Sequence, residues 1–345
     1  MMVYLKQLIK FILKSAFKPF VPDYIFKKIP HEIIIEPTNV CNLKCPVCPT
    51  TYGMERKNGF MEFDVFKSII DDLKDYKAKP RISMNFAGEP MLNKDIYKFV
   101  EYANKNSHKT FISTNVTAIN EKNSRELISA GLRTIHLCVD GFSNKSHDTY
   151  RIGSDFKLIK KNIETFMEVR KEMNSKYPLV SIQTLLTSLS VDEKDDIKEW
   201  AEKIGVDSIY FKSLSMGSHT TPELKSKWNF LVPKEKKFRR QQFTFDYPIC
   251  GMPLKQSVVY WNGNLGLCCI DYNNDIKLPN IKKDGYVKTL FSADTIKKEN
   301  KVLKKSTNYV LPALLEVQII WEKLFILKMI LYRLPTLRFR KNNKC

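Results

Sequence analysis

From His31 onward, short runs of β-branched and apolar residues alternate with longer segments in which apolar residues recur every three or four positions. HEIIIEPT predicts a strand and EFDVFKSIIDDLKDY a helix, then RISMNFAG a strand and NKDIYKFVEYANKN a helix. KTFISTN, TIHLCVD, LVSIQTLLT and SIYFKSL continue as strands, separated by the helical patterns NEKNSRELISAG, DFKLIKKNIETFMEVRKEM and VDEKDDIKEWAEKIG. Six such alternations within residues 31–215 predict an α/β fold, a partial (β/α)6 TIM-like barrel of parallel strands with helices outside. In such folds ligands sit at the C-terminal ends of the strands. A cysteine cluster follows the first strand at that end.

The pattern changes outside this region. Residues 1–30 place Lys6, Lys10, Lys14 and Lys18 at i, i+4 spacing on one helical face, with Leu5, Ile9, Leu13 and Phe17 elsewhere on the wheel. A basic amphipathic segment of this kind lies in a membrane interface or docks on the protein's own body. Residues 216–247 lose the periodicity and read as a linker. Residues 248–309 read as a small Cys/Gly/Trp unit in which VVYWNGNLGLCCID forms a hairpin turned by Asn262-Gly263. Residues 310–345 are apolar and basic, a helical pattern without an uncharged run long enough to span a bilayer.

Composition adds little to this picture, but the placement of charge adds more. The chain of 345 residues carries net +20, of which residues 1–30 hold +5 and residues 301–345 hold +8. The excess sits at the two ends and points to peripheral contact with an anionic membrane surface, or to nothing beyond solvated lysines. No basic stripe interleaved with aromatics marks the body, so no nucleic-acid partner is expected. No apolar leader stretch is present near the start, and the eight cysteines, three of them within eight positions, suggest metal ligation in a reducing, cytoplasmic compartment.

Those three are Cys41, Cys45 and Cys48 in EPTNVCNLKCPVCPT. Thiolates suit iron–sulfur clusters or zinc. A structural zinc site wants four protein ligands, whereas three thiolates on a four-iron cluster leave one iron open to an exchangeable ligand. Unligated thiols and a zinc site completed from elsewhere are the alternatives.

The CxxxCxxC loop after the first strand resembles the motif of the radical S-adenosylmethionine (SAM) superfamily, with Val47 where an aromatic is common. The resemblance implies a [4Fe–4S] cluster on Cys41, Cys45 and Cys48, SAM chelated to its open iron, and a reducing electron donor. It further implies reductive cleavage of SAM to a 5′-deoxyadenosyl radical that abstracts a substrate hydrogen. FAGEP resembles the family's Gly-Gly-Glu loop, Ala87 replacing the first Gly; Gly88 would let backbone approach the methionine moiety, and Glu89 would accept from its ammonium. Ser113 and Asn115 in STN stand where relatives place polar groups near the ribose. CVDGFSNKSHDTYRIG is similar to the SxDG…HDxxRG pattern of members that carry a SPASM domain. Cys138 replaces the Ser, and Arg151 would pair with the cofactor carboxylate. Cys250-x12-Gly263-x4-Cys268 resembles the first half of a SPASM motif whose second half is absent, implying an incomplete auxiliary iron–sulfur site on Cys250 and Cys268. Either the appendage keeps its fold without its metal set, or the tail comes from a shifted or truncated reading frame. The relatives so implied act on peptides, proteins or carbohydrate-type small molecules. No catalytic residue beyond these is named by the sequence, although Gln183, Lys212 and Cys138 point from strand ends. The contrasting expectation is a degenerate, non-catalytic member that binds a partner or membrane through its basic ends.

Overall fold

The computed structural model describes residues 29–77, 79–214, 216, 220–239, 255–267 and 269–305. The basic N-terminal segment, Cys250, Cys268 and the apolar tail lie outside the described residues. The chain divides into two units, the larger being Phe26–Phe243 with Gly251–Glu299. Its centre is one open, eight-stranded sheet in the order β6-β5-β4-β3-β2-β1-β7-β8. The six expected strands are β1 Glu32–Ile35, β2 Arg81–Met84, β3 Thr110–Thr114, β4 Thr134–Cys138, β5 Leu179–Leu186 and β6 Ser208–Ser213, each parallel to its neighbour. Among the described residues no helix is long and apolar enough to cross a membrane.

The two faces of the sheet differ because alternate residues point to opposite sides. Ile33, Ile82, Met84, Ile112, Ile135, Leu137 and Ile182 are fully buried and form the helix-side core. Against them lie α1 Phe63–Asp72, α2 Ile96–Lys105, α3 Glu121–Ser129, α4 Asn144–Tyr150, α5 Phe156–Glu172 and α6 Lys194–Lys203. In α5 the buried residues Phe156, Ile159, Ile163, Phe166 and Met167 recur at helical spacing, and the Asp155 side chain caps the first turn by accepting from the Lys157 N–H. Phe66 of α1 and Phe99 of α2 stack with ring centroids 4.4 Å apart. The other face is polar or aromatic: Ser113, His136, Cys138, Gln183, Tyr210 and Lys212 are joined there by side-chain contacts.

The hairpin expected in the C-terminal unit forms, but it joins the main sheet. β7 Gln256–Val259 pairs parallel to β1, and β8 Leu265–Gly266 pairs antiparallel to β7. Without β7 the first strand would leave its backbone groups unpaired at an edge. The segment read as a linker also holds structure, the helix α7 Pro222–Trp228 and the fully buried Leu231.

Two polar clamps hold the loops at the C-terminal ends of the strands. Glu36, fully buried just past β1, takes a two-pronged bond from Arg56, Nη1 to Oε2 at 2.9 Å and Nη2 to Oε1 at 2.6 Å. The Trp261 N–H donates to the same carboxylate at 3.1 Å. Arg56 Nε reaches the Tyr272 carbonyl at 2.6 Å while its guanidinium lies 4.5 Å from the Tyr260 ring centre. The Trp261 ring covers Gly59, where an added Cβ would stand 2.4 Å from it. The strap that follows the cysteines is thus fastened to the β7–β8 hairpin.

The second clamp closes the loop after β4. Buried His147 accepts the Asp140 N–H at Nδ1 (3.1 Å), which fixes the proton on Nε2, 3.1 Å from the Ser154 hydroxyl. Phe142 N–H and the hydroxyls of Ser143 and Ser146 all donate to Glu193 at the start of α6.

Replacing Arg56 by Ala leaves a buried carboxylate without its counter-charge, so a loss of about 3–5 kcal/mol is expected in urea unfolding; a change within about 0.5 kcal/mol would remove the clamp from the fold's supports. Burial pushes the His147 imidazole down from 6.5 to about 4. The folded value lies below the unfolded one, so neutral His147 contributes stability that is complete above pH 6.5 and is lost as the pH falls toward 4. The loss is roughly 3 kcal/mol, and a His147→Gln variant should unfold with a flatter pH dependence across that window; parallel slopes would contradict the assignment.

Candidate functional site

Cys41, Cys45 and Cys48 lie in the loop after β1, where the helix-covered face ends; Cys45 is 8% exposed and the other two are partly buried. None of the three forms a disulfide. Polar hydrogens surround their sulfurs. The Leu43 N–H lies 3.5 Å and Asn115 Nδ2 3.9 Å from Cys41 Sγ, Arg151 Nη1 lies 4.0 Å from Cys45 Sγ, and the Thr50 hydroxyl lies 2.9 Å from Cys48 Sγ. Such donors favour negative charge on sulfur. Burial opposes it, pushing the Cys41 thiol up and the Cys45 thiol up to about 12. The Cys41 and Cys45 thiols thus hold their protons at neutral pH, and a positively charged centre is what converts them to thiolates. Among the described residues no three His, Cys, Asp or Glu side chains are grouped to hold a single metal ion; the thiolates of a four-iron cluster each reach a different iron.

The loop is shaped from the neighbouring strand end. Gly88 has φ +72°, and a Cβ there would stand 2.5 Å from the Thr38 carbonyl and 2.6 Å from the Val40 carbonyl. The close approach that needs glycine is therefore made to the cysteine loop's own backbone. The Glu89 N–H then donates to the Val40 carbonyl at 2.9 Å. The Glu89 carboxylate, 2% exposed, accepts from the Met91 N–H (3.0 Å), the Thr114 hydroxyl (2.7 Å) and the Asn115 N–H (2.7 Å). Burial pushes this carboxyl up against the pull of those donors. Three of its roughly four acceptor positions are used.

Asn115 follows β3 and reaches back to the cysteine loop, Nδ2 bonding Asn42 Oδ1 at 3.0 Å. Its neighbour Val116 has φ +70°, a left-handed geometry that costs a β-branched residue about 1–3 kcal/mol. The buried Thr114 hydroxyl and Asn162 amide hold it there. Arg151, at the end of α4, donates from Nε to Asp140 (2.5 Å), whose other oxygen accepts the Leu185 N–H at 2.6 Å. Gly88, Glu89 and Asn115 thus gather on the Cys41 side, with Arg151 beside Cys45. Ser113 belongs instead to the row on the open face: its hydroxyl lies 3.4 Å from Cys138 Sγ, which accepts from Gln183 Nε2 at 3.5 Å, and Gln183 Oε1 accepts from Lys212 Nζ at 2.5 Å. Cys250 and Cys268 lie outside the described residues.

Asp140 as the anchor of Arg151, and the Glu36–Arg56 pair, were not picked out from the sequence. Asp140 was visible within a motif, but its partner Leu185 lies 45 residues away. Nothing in the spacing of Glu36 and Arg56 announces a bond.

Residues 35–185 match the Radical SAM superfamily. The chain is 27% identical over 171 residues to the AdoMet-dependent heme synthase of Nitratidesulfovibrio vulgaris, covering 49% of this chain and 44% of that one. It is 22% identical over 183 residues to the tungsten-containing aldehyde ferredoxin oxidoreductase cofactor-modifying protein of Pyrococcus furiosus, covering 53% and 51%. The chain spans about half the length of these curated relatives. The solved structure of Streptococcus suis SuiB bound to precursor peptide SuiA has the same fold, with TM-score 0.59 at 16% identity over 83% of this chain and 70% of that one. Residues 35–185 thus carry a radical SAM superfamily domain.

Proposed function

We propose that the chain is a radical SAM enzyme that binds a [4Fe–4S] cluster and SAM at the C-terminal mouth of the sheet and removes a hydrogen atom from an organic substrate. The observation that carries this reading is the set of three unbridged cysteines after β1, with N–H or O–H donors close to each sulfur. Cys41, Cys45 and Cys48 hold the cluster. When bound, cluster and SAM together supply a 5′-deoxyadenosyl radical after one-electron reduction by an external donor. Glu89 offers its remaining acceptor position to the methionine ammonium, and Arg151, oriented by Asp140, offers its outer N–H groups to the carboxylate. Asn115 keeps the loop and its Cys41 contact in place. Leu43, Val47 and Tyr150 pack with Cys45 and keep water from the site.

The substrate lies over the polar face carrying Ser113, Cys138, Gln183 and Lys212. A peptide or a carbohydrate-type molecule suits that surface, because each brings many hydrogen-bonding groups; the likeness of fold to SuiB with its bound precursor peptide supports the peptide class. A cytoplasmic location with peripheral membrane contact through residues 1–30 completes the proposal, and flotation with anionic vesicles tests that contact.

Anaerobic reconstitution tests the main reading. Protein with iron, sulfide, dithionite and SAM should yield 5′-deoxyadenosine, and Cys41→Ala should abolish both the cluster absorbance and the product. No product from the wild type, or equal product from the variant, identifies a non-catalytic member.

A further inference from the structure

Residues 220–239, a linker by sequence, pack on the apolar side of the cysteine loop. Trp228, Leu231 and Val232 join Leu43, Cys45 and Val47 in one apolar group. The Leu231 carbonyl accepts the Ser188 N–H at 2.9 Å, which pins the segment to the loop between β5 and α6. Its outward side is different in kind. Lys225, Lys227, Lys234, Lys236, Lys237 and Arg239 are all exposed, against two acids, Glu223 and Glu235. Residues 31–219, by contrast, hold 27 Lys or Arg and 26 Asp or Glu. Within this basic stretch Phe230 is 54% exposed, its ring 5.9 Å from that of Trp228, and Lys227 Nζ lies 5.2 Å from the same indole. Lys44, exposed between Cys41 and Cys45, brings charge of the same sign to the surface on the cysteine loop itself. Protein interfaces use such a combination: an aromatic ring supplies area to bury, and the charges choose the partner and speed its arrival.

Resting on the radical SAM reading above, which requires one electron from outside, we infer that residues 220–239, with Lys44, are the docking surface for a small acidic electron-carrier protein. An electron crosses protein readily only over short distances, and this segment packs on the wall that carries Cys45. Cations gathered there draw in a carrier of negative surface and turn away a basic one. In the docked complex the carrier's reduced cofactor loses one electron to the group held by the cysteines, and no bond forms or breaks. A lipid surface or a nucleic acid meets the same charge but has no electron to give, so the position of the patch favours the carrier.

The test uses the full chain, reconstituted under anaerobic conditions, with an acidic flavodoxin and an acidic [2Fe–2S] ferredoxin as probes. Wild type is compared with Lys225→Glu plus Lys227→Glu, and with Lys225→Arg plus Lys227→Arg. A wild type that yields no 5′-deoxyadenosine with dithionite defeats the functional reading and this inference together. Dithionite is small and needs no docking, so with it the Glu variant should match the wild type. With a reduced probe its rate should fall roughly tenfold at low salt, and its Kd for the oxidised probe should rise by a similar factor, while the Arg variant keeps both values. The gap should close at about 1 M salt, where the Debye length is about 3 Å. Equal rates and Kd in wild type and Glu variant overturn the inference and leave the functional reading standing. So does a wild type that neither probe reduces, or a Glu variant slowed as much with dithionite. A Glu variant that keeps the probe rate but loses binding to anionic vesicles or to a single-stranded oligonucleotide gives the patch to that partner, and overturns the inference as well.

Discussion

The buried carboxylate of Glu89 is the constraint on which the rest of the site depends. An ionisable group taken from water must be repaid with hydrogen bonds. Here the donors come from the backbone of Met91 and Asn115 and from the Thr114 hydroxyl. Satisfying one carboxylate therefore fixes the ends of β2 and β3 against each other. The Glu89 N–H extends the same link to the loop after β1, and the missing Cβ of Gly88 leaves room for the Thr38 and Val40 carbonyls. Three strand ends and the cysteine loop become one rigid element. The left-handed backbone at Val116 is part of this arrangement, held by Thr114 and Asn162 while the preceding Asn115 amide faces Asn42 and Cys41.

The sheet works through the unlike character of its faces. Helices cover one side and supply the apolar burial that stabilises the fold. The other side keeps serines, a histidine, a glutamine and a lysine, joined across β3 to β6. A closed barrel fills its interior with branched apolar side chains; in this open sheet the polar face leaves Tyr210 48% exposed instead. Burial, helped by the positive charges of Lys212 and Arg81, holds the His136 imidazole below its usual range, so this surface presents a neutral ring between Phe111 and Tyr210.

The C-terminal hairpin does for the far edge what helices do for the face. β7 completes the hydrogen bonding of β1, and the Arg56 strap is gripped directly by the Tyr272 carbonyl and the Tyr260 ring and, through the fully buried Glu36, by the Trp261 N–H. The strap leads directly from Cys48, so this unit bears on the cysteine loop even though its own thiols Cys250 and Cys268 lie outside the described residues.

The sequence by itself determined the six parallel strands, the helices between them and the position of the cysteines after β1, because hydrophobic period and cysteine spacing are local properties that survive without knowledge of contacts. It also marked Gly88, Glu89, Asn115 and Arg151, since each sits in a short motif. Only the tertiary structure decided what these residues touch: that Gly88 makes room for protein backbone, that Arg151 is held by Asp140, and that β7 extends the main sheet beside β1. Glu36 and Arg56 bond across 20 residues and Asp140 and Leu185 across 45. Such pairings are set by how strands stack in space.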